Sequence, residues 1–170
     1  VEPDGADGVV AGGAQGVLAF LEDWRPDPPL IPGGAFARAE VRRLVAWFDE
    51  TFQAEVSDHL VGERVMKRRL GGGAPDAAAL RAGQTNLKTH LAYLDWLCAR
   101  RDWLAGAALT IADIAAAAQI SCVDYLGAVD WEPAPQARAW YARMKSRPSM
   151  RALLAERLRD APTPPAGYKN

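Results

Sequence analysis

The sequence predicts a mainly α-helical bundle, preceded by a short β-hairpin and one helix. Hydrophobic residues make up 49% of the 170 residues, which is enough to build a sizeable core. Much of that fraction is alanine, including the run 115–118, and alanine favours helix over strand. From residue 35 onward the apolar residues also recur at helical spacing. We therefore expect one globular domain of packed helices behind a smaller N-terminal fragment.

The charge balance and the apolar pattern exclude two classes of partner. The chain has 20 Lys and Arg against 21 Asp and Glu, a formal net charge of −1, so we expect no nucleic-acid partner. The most apolar stretch, 111–129, is interrupted by Asp113 and Asp124, so we expect no membrane insertion. The two cysteines, Cys98 and Cys122, are too far apart for a CxxC motif, and no leader pattern is visible. These features predict a soluble protein of the reducing cytoplasm.

The first eleven residues have the pattern of a β-hairpin. Val1 and Glu2 are followed by a turn-rich segment with two Asp and two Gly residues, and then by apolar residues 9–11. Two such strands are not stable alone. Because the chain begins with Val1, we expect further strands upstream, although a swapped or edge-docked hairpin would give the same pattern. A catalytic residue in that upstream part would not be included in this sequence.

A short amphipathic helix is predicted next, over residues 14–24. Its apolar residues Val17, Phe20, Leu21 and Trp24 share one face. Without a complete sheet to cover it, that face is expected to be exposed and mobile.

The proline pattern divides the chain into segments. The helix ends at Arg25 and Pro26, and the prolines and glycines of 26–34 predict a stiff linker. We therefore assign 1–25 to the hairpin and helix, 26–34 to the linker, 35–160 to an all-helical domain and 161–170 to an extended, mobile tail.

Two long antiparallel helices are predicted to open the helical domain. The first begins near Ala35, kinks or breaks near 57–62, and continues until the glycine run 71–73. The second begins at Pro75 and Asp76 and continues to about residue 100. The apolar stripe of this second helix is formed by Leu80, Leu87, Leu91, Leu94 and Cys98.

A capping box is the most specific local signal in the sequence. Thr110 is followed three residues later by Asp113, so the two can exchange side-chain and backbone hydrogen bonds at a helix N-terminus. The helix that follows, 111–126, is apolar on nearly every side and is predicted to be the buried centre of the bundle. Two further helices are predicted over 136–146 and from Pro148 through Leu158.

The residues that usually carry chemistry do not form a recognisable site. His59 and His90 lack metal-ligand spacing, so we expect no metal site and structural or surface roles for both. The glycine run 71–73 lacks the Lys-Ser/Thr of a P-loop, and no cofactor box is evident. Cys98 and Cys122 lie in apolar helical contexts, where cysteine acts as a small hydrophobe.

A basic cluster is formed by Arg64, Lys67, Arg68 and Arg69. The usual meaning of such a run is a solvated helix face. The alternative is a docking surface for an acidic partner.

The order of elements resembles a glutathione transferase that lacks the front of its thioredoxin-like domain. Leu104, Ala105 and Gly106, followed by the sequence Leu-Thr-Ile-Ala-Asp at 109–113, are similar to the segment that carries the buried capping box of that family. The resemblance implies that 1–25 is the end of a thioredoxin-like domain and that Thr110 and Asp113 are folding elements. It also implies a catalytic residue upstream of Val1. Members are usually dimers, and the sequence leaves the oligomeric state open.

The resemblance also locates the glutathione site and the second-substrate pocket of the family. The pair that holds the γ-glutamyl carboxylate of glutathione aligns with Gly13 and Ala14, which have no hydrogen-bonding side chain, so we expect weakened binding through backbone N–H groups. The helix that carries Trp47 and Phe48 would line the substrate pocket. Glutathione is therefore a possible substrate, and no other cofactor is expected.

A narrower resemblance is to the transferase-like cell-division proteins of alphaproteobacteria, which bind FtsZ filaments. It rests on 59–68, 73–76, 101–106, 123–127 and 140–148. It implies that the basic cluster and Tyr168 contact the partner, although the acidic, aromatic tail end of those proteins is replaced here by Lys169 and Asn170. The alternatives are a glutathione-dependent transferase, or a pseudo-enzyme with an unrelated partner.

Overall fold

The computed structural model describes residues 13–158, 163–166 and 168, without the side chains of 13–15. The hairpin predicted for 1–11 lies outside the described residues. Within them, the regular structure is helical apart from one isolated antiparallel bridge between Trp103 and Gly106. The helices are α1 Gly13–Trp24, α2 over 35–69, α3 Ala77–Cys98, α4 Ile111–Tyr125, α5 Pro135–Lys145, a 3₁₀ turn Pro148–Met150, and α6 Arg151–Ala155. None of the helices in the described ranges is long and apolar enough to cross a bilayer.

A kink or break was predicted near 57–62, and the break is wrong because helix α2 is continuous there. The backbone stays right-handed helical through Asp58 and Gly62, while the hydrogen bonding alternates between α and π registers. Its segments are Ala35–Ala46 (α), Trp47–Ser57 (π), Asp58–Val61 (α), Gly62–Met66 (π) and Lys67–Arg69 (α). The buried residues Phe48, Phe52, Val56 and Leu60 recur every four positions, a longer repeat than the 3.6 residues of an α-helical turn. Wider turns keep all four side chains on the core face.

Helices α2 and α3 pack antiparallel, as predicted. Arg43 Nη2 donates to Tyr93 Oη at 2.7 Å, and Asn86 Nδ2 donates to Glu55 O at 2.9 Å. The residue numbers therefore rise along one helix as they fall along the other. Asp76 caps the start of α3, because its carboxylate accepts from the N–H groups of Ala78 and Ala79 at 2.6 and 3.2 Å.

Helix α4 is the buried centre of the bundle, and the capping box at its start is confirmed. Asp113 is fully buried, and its Oδ2 accepts from the backbone N–H and hydroxyl of Thr110 at 2.9 and 3.0 Å. Its Oδ1 accepts from Leu104 N at 3.0 Å and from Trp140 Nε1 at 2.9 Å. The box therefore also joins α4 to α5 and to the preceding loop.

Helix α1 leaves part of its apolar face uncovered, as expected from the sequence. Val17, Leu21 and Trp24 are 42%, 41% and 38% exposed. The opposite face is tied to the linker, because the Glu22 carboxylate accepts from Leu30 N and Ile31 N at 2.7 and 3.2 Å.

The C-terminal segment differs from its prediction in two ways. Helix α6 ends at Ala155 rather than Leu158. The tail is held at Tyr168, which is 3% exposed and meets the ring of Tyr125 edge-on with ring centres 5.3 Å apart. Tyr168 N also donates to Pro165 O at 3.0 Å, so this part of the tail is packed against the bundle.

Candidate functional site

The basic cluster lies at the C-terminal end of α2, and two of its members have structural contacts. Lys67 Nζ forms an ion pair of 2.8 Å with Glu63 Oε2, which also accepts from Asp76 N at 2.7 Å. The hydrogen bond from Lys67 lowers the pKa of Glu63. Arg64 is half-buried, and its Nη1 lies 3.4 Å from Leu126 O at the end of α4, where a cation is favourable. Glu63, which pairs with Lys67, therefore joins α2 to the start of α3, and Arg64 joins α2 to the end of α4.

The other two arginines point outward beside exposed apolar side chains. Arg68 and Arg69 are exposed, Met66 is 47% exposed and Leu70 is 80% exposed. We call these four residues the α2 tip. Cationic and apolar groups at the end of a firmly anchored helix suit contact with a protein surface that is acidic and partly apolar.

An apolar groove of about 190 Å³ lies beside this end of α2. It is lined by Val61, Val65, Ser121, Cys122, Tyr125, Leu126, Leu153, Glu156, Leu158 and Tyr168. Tyr168, predicted as a partner contact, has too little exposed surface to be one directly. Its ring instead shapes the groove wall and holds the tail in place.

The two residues predicted to line a substrate pocket lie in the interface between α2 and α3. Phe48 is 1% exposed and belongs to the core, so it has no surface to offer a substrate. Trp47 is half-buried, and its Nε1 donates to Nδ1 of His90 at 3.1 Å. Both are packing residues in this structure.

Trp47 belongs to a hydrogen-bonded chain that sequence reasoning missed. Nε2 of the buried His90 lies 2.9 Å from Glu55 Oε2, on the other side of the ring from Trp47. An indole N–H only donates, so Nδ1 of His90 is the acceptor and Nε2 carries the proton. No spacing in the sequence could have paired residues 35 and 43 positions apart. In the described part of the chain, no group of three His, Cys, Asp or Glu residues is arranged to hold a metal ion.

Gly13 and Ala14, the positions of the degenerate glutathione site, form the first turn of α1. Further along this helix, an apolar cavity of about 410 Å³ lies between α1, the linker and α4. It is lined by Leu18, Leu21, Glu22, Arg25, Asp27, Pro28, Leu30, Ile31, Ile111 and Ile114. Sequence reasoning missed this cavity, because it is formed by three segments that are distant in sequence.

Neither cysteine has the environment of a catalytic nucleophile. Burial raises the pKa of the Cys98 thiol to about 12 and also raises that of Cys122. A reactive cysteine needs a lowered pKa. Cys98 packs against the core and fits the small-hydrophobe role that the sequence predicted, whereas Cys122 is exposed and lines the apolar groove.

Comparison with known proteins shows consistent similarity to one family. Residues 67–148 match the glutathione S-transferase C-terminal domain family. A protein from Caulobacter vibrioides named FtsZ-localized protein A is 46% identical over 141 residues, which are 83% of this chain and 62% of that protein. The chain therefore spans less than two thirds of the length of that curated relative.

Solved structures show the same similarity over almost the whole chain. A glutathione S-transferase from Rhodospirillum rubrum superposes with a TM-score of 0.92 at 50% identity, covering 97% of this chain and 74% of that one. FzlA from C. crescentus superposes with a TM-score of 0.93 at 41% identity. The match covers 99% of this chain and 74% of that one.

Proposed function

Because the chain belongs to the glutathione S-transferase family, we propose that it uses the helical domain of that family as a non-catalytic binding scaffold. Its partner is the FtsZ filament, and its role is in cell division in the cytoplasm. The α2 tip makes the main contact. The fold alone does not identify the partner or the role, since one scaffold can carry unrelated functions.

The similarity to a relative named for FtsZ supports the choice of partner. One relative is named for its localisation with FtsZ, and it shares 46% of its aligned residues with this chain. Gly13 and Ala14 support a non-catalytic role, because neither has a side chain that could hydrogen-bond the carboxylate of glutathione.

The exposure of the α2 tip is the observation that carries the proposal. Arg68 and Arg69 are exposed at a helix end that Glu63 joins to the start of α3 and Arg64 joins to the end of α4. An anchored helix end loses little conformational freedom on binding, and its positive charges speed association with a surface of negative charge. The exposed Met66 and Leu70 supply apolar area beside the charges.

Co-sedimentation with FtsZ filaments tests the proposal. We expect Arg68→Glu combined with Arg69→Glu to weaken binding at least about tenfold, equivalent to 1.4 kcal/mol. The matched control is Arg42→Glu with Arg100→Glu, which reverses two exposed arginines at the opposite end of the same helix pair. On a rise of 1.5 Å per residue, Arg42 lies roughly 40 Å from Arg68 along α2.

Two results would contradict the proposal in different ways. If the unmodified protein does not sediment with filaments, FtsZ is the wrong partner. If it does, and the tip and control variants sediment equally, the contact lies on another surface.

A further inference from the structure

The apolar groove beside the α2 tip lies at the end of the bundle that is farther from the linker. Helices α2 and α4 both begin at the linker: α2 follows it at Ala35, and Ile111 N at the start of α4 donates to Leu30 O at 2.9 Å. The groove lies between the opposite ends of these two helices, α6 and the tail. It is therefore a separate surface from the uncovered face of α1.

The walls of the groove are held in place by contacts within the chain. Leu158 N donates to Tyr125 Oη at 3.2 Å, which fixes the segment after α6 to α4. Tyr168 packs edge-on against the same Tyr125 ring. On the α2 side, Arg64 Nη1 lies 3.4 Å from the carbonyl of Leu126. The groove is thus formed before a partner arrives, which lowers the conformational cost of filling it.

The size and lining of the groove suit the side chains of a larger partner. Its volume of about 190 Å³ is smaller than the roughly 300–1,000 Å³ of small-molecule sites. Most of its lining is apolar, and the wall residues Leu153 and Leu158 are each 40% exposed. One or two aliphatic side chains fill such a space, and an anchor side chain buried in a pocket carries a large share of binding energy.

The edge of the groove is basic. Arg68 is exposed and lies one turn beyond the α2 residues that line the groove. Arg157 is exposed between two lining residues, and its charge opposes the effect of burial, which raises the pKa of Tyr168 to about 12. With Arg64, these cations outnumber the one carboxylate in the lining, Glu156. The charges therefore favour a partner segment that is acidic.

We propose that the groove binds an acidic segment of the partner filament, which inserts one or two aliphatic side chains between α2 and α6. Carboxylates of that segment pair with Arg68 and Arg157. This inference rests on the proposed function, because it identifies what the partner presents to the same end of α2. The α2 tip supplies charge, and the groove adds a requirement for aliphatic side chains at a fixed distance from the acidic ones.

The thiol of Cys122 reports directly on whether the groove is filled, because it is exposed and lines the groove. The measurement is its rate of reaction with N-ethylmaleimide, with and without saturating FtsZ filaments, read by peptide mass spectrometry. We expect filaments to slow the reaction at Cys122 at least about tenfold. Cys98, a half-buried residue outside the groove, is the internal control and keeps its rate.

The labelling results separate this inference from the proposed function. An unchanged rate at Cys122 in filament-bound protein would overturn the groove proposal and leave FtsZ as the partner. A rate that falls with the concentration of the protein alone would mean that a second copy covers the groove, and would also overturn it. If the protein does not sediment with filaments at all, both proposals fail.

A groove-filling substitution tests the aliphatic contact without changing any charge. We expect Cys122→Trp to weaken co-sedimentation with FtsZ filaments at least about tenfold, although Arg68 and Arg69 of the α2 tip remain in place. Ala39→Trp is the matched control, because it adds the same ring at an exposed position near the other end of α2. Far-UV circular dichroism checks the fold of both variants. Equal sedimentation of the two folded variants would overturn the proposal.

A charge reversal at Arg157 tests the acidic character of the partner segment. We expect Arg157→Glu to weaken co-sedimentation at least about threefold, because it places a negative charge at the edge of the groove opposite the α2 tip. Arg42→Glu, at an exposed position far from the groove, is expected to have no effect. Equal sedimentation of these two variants would show that the segment in the groove is not acidic at this edge, against the proposal.

Discussion

The indole nitrogen of Trp140 donates a 2.9 Å hydrogen bond to Oδ1 of Asp113, and both residues are fully buried. The same carboxylate caps α4 at Thr110 and accepts from Leu104 N. One side chain therefore connects the start of the central helix, the preceding loop and α5. Removing it disturbs three parts of the domain at once.

Asp113→Ala is expected to destabilise the protein by roughly 3–5 kcal/mol. The substitution leaves buried donors of Leu104, Thr110 and Trp140 without an acceptor, and each such group is costly. Urea unfolding measures the difference. Asp23→Ala, an exposed position on α1, is the control and is expected to stay within about 0.5 kcal/mol. A loss below about 1 kcal/mol in Asp113→Ala would contradict this account.

The capping box shows how far local sequence reasoning extends. Thr110 and Asp113 are three residues apart, so the cap was predictable from their spacing alone. The bond to Trp140 joins residues 27 positions apart, and no local pattern encodes it. The helices and the buried stripe of α4 were predicted for the same local reason.

The course of α2 was predicted only in part, because its local pattern conflicts with its packing. The helix-weakening residues near 57–62 suggested a kink or a break, whereas the buried stripe that includes Val56 and Leu60 continues across them. Packing against α3 keeps the helix continuous and changes its hydrogen-bond register. The close contact at Gly83 that permits this packing has no signal in the sequence.

Gly83→Ala is expected to destabilise the protein by roughly 1–3 kcal/mol. A Cβ at Gly83 would lie 2.7 Å from His59 Cβ and 3.0 Å from Leu60 Cγ, so α2 and α3 would have to move apart. Gly62→Ala is the matched control on α2, where the nearest atom would be Ser57 O at 4.0 Å. There we expect a gain of about 0.5–1 kcal/mol, because alanine favours helix. Chemical denaturation measures the free energy of unfolding of both variants. Equal changes in Gly83→Ala and Gly62→Ala would show that the helix contact at Gly83 is loose.

The proton of neutral His90 is expected on Nε2. Nδ1 accepts from Trp47 Nε1 at 3.1 Å, so Nε2 is left to donate to Glu55 Oε2 at 2.9 Å. Long-range ¹H–¹⁵N correlation spectra distinguish the two tautomers directly. We also expect Trp47→Phe to destabilise the protein by roughly 1–3 kcal/mol, because it leaves a buried acceptor unpaired. A proton found on Nδ1 would mean that the indole and imidazole are not hydrogen-bonded.

The candidate surfaces were predicted less completely than the helices, for a physical reason. The basic run 64–69 was visible in the sequence, but the sequence does not show that Lys67 pairs with Glu63 of the same helix while Arg64 contacts Leu126. Tyr168 was expected to be exposed because the tail is rich in proline, and only its packing on Tyr125 shows otherwise. Asp124 and Tyr141, 17 positions apart, meet only when α4 and α5 are packed together.

Glu40 is expected to make stability depend on pH in the acid range. Hydrogen bonds from Arg43 and Arg101, at 2.8 and 2.7 Å, lower its pKa from 4.5 to about 2. A carboxyl whose pKa is lower in the folded state contributes stability above the unfolded pKa, and that contribution is lost as the pH falls through the folded pKa. We therefore expect the free energy of unfolding to fall by roughly 1–2 kcal/mol through this group between pH 4.5 and pH 2, allowing for solvent screening of the partly exposed pairs.

Urea unfolding at several pH values measures the slope of the free energy of unfolding against pH. Glu40→Gln should flatten it, whereas Glu132→Gln, at an exposed position without such an ion pair, should leave it unchanged. An identical slope in both variants would show that Glu40 is ionised no more easily in the folded chain than in the unfolded one.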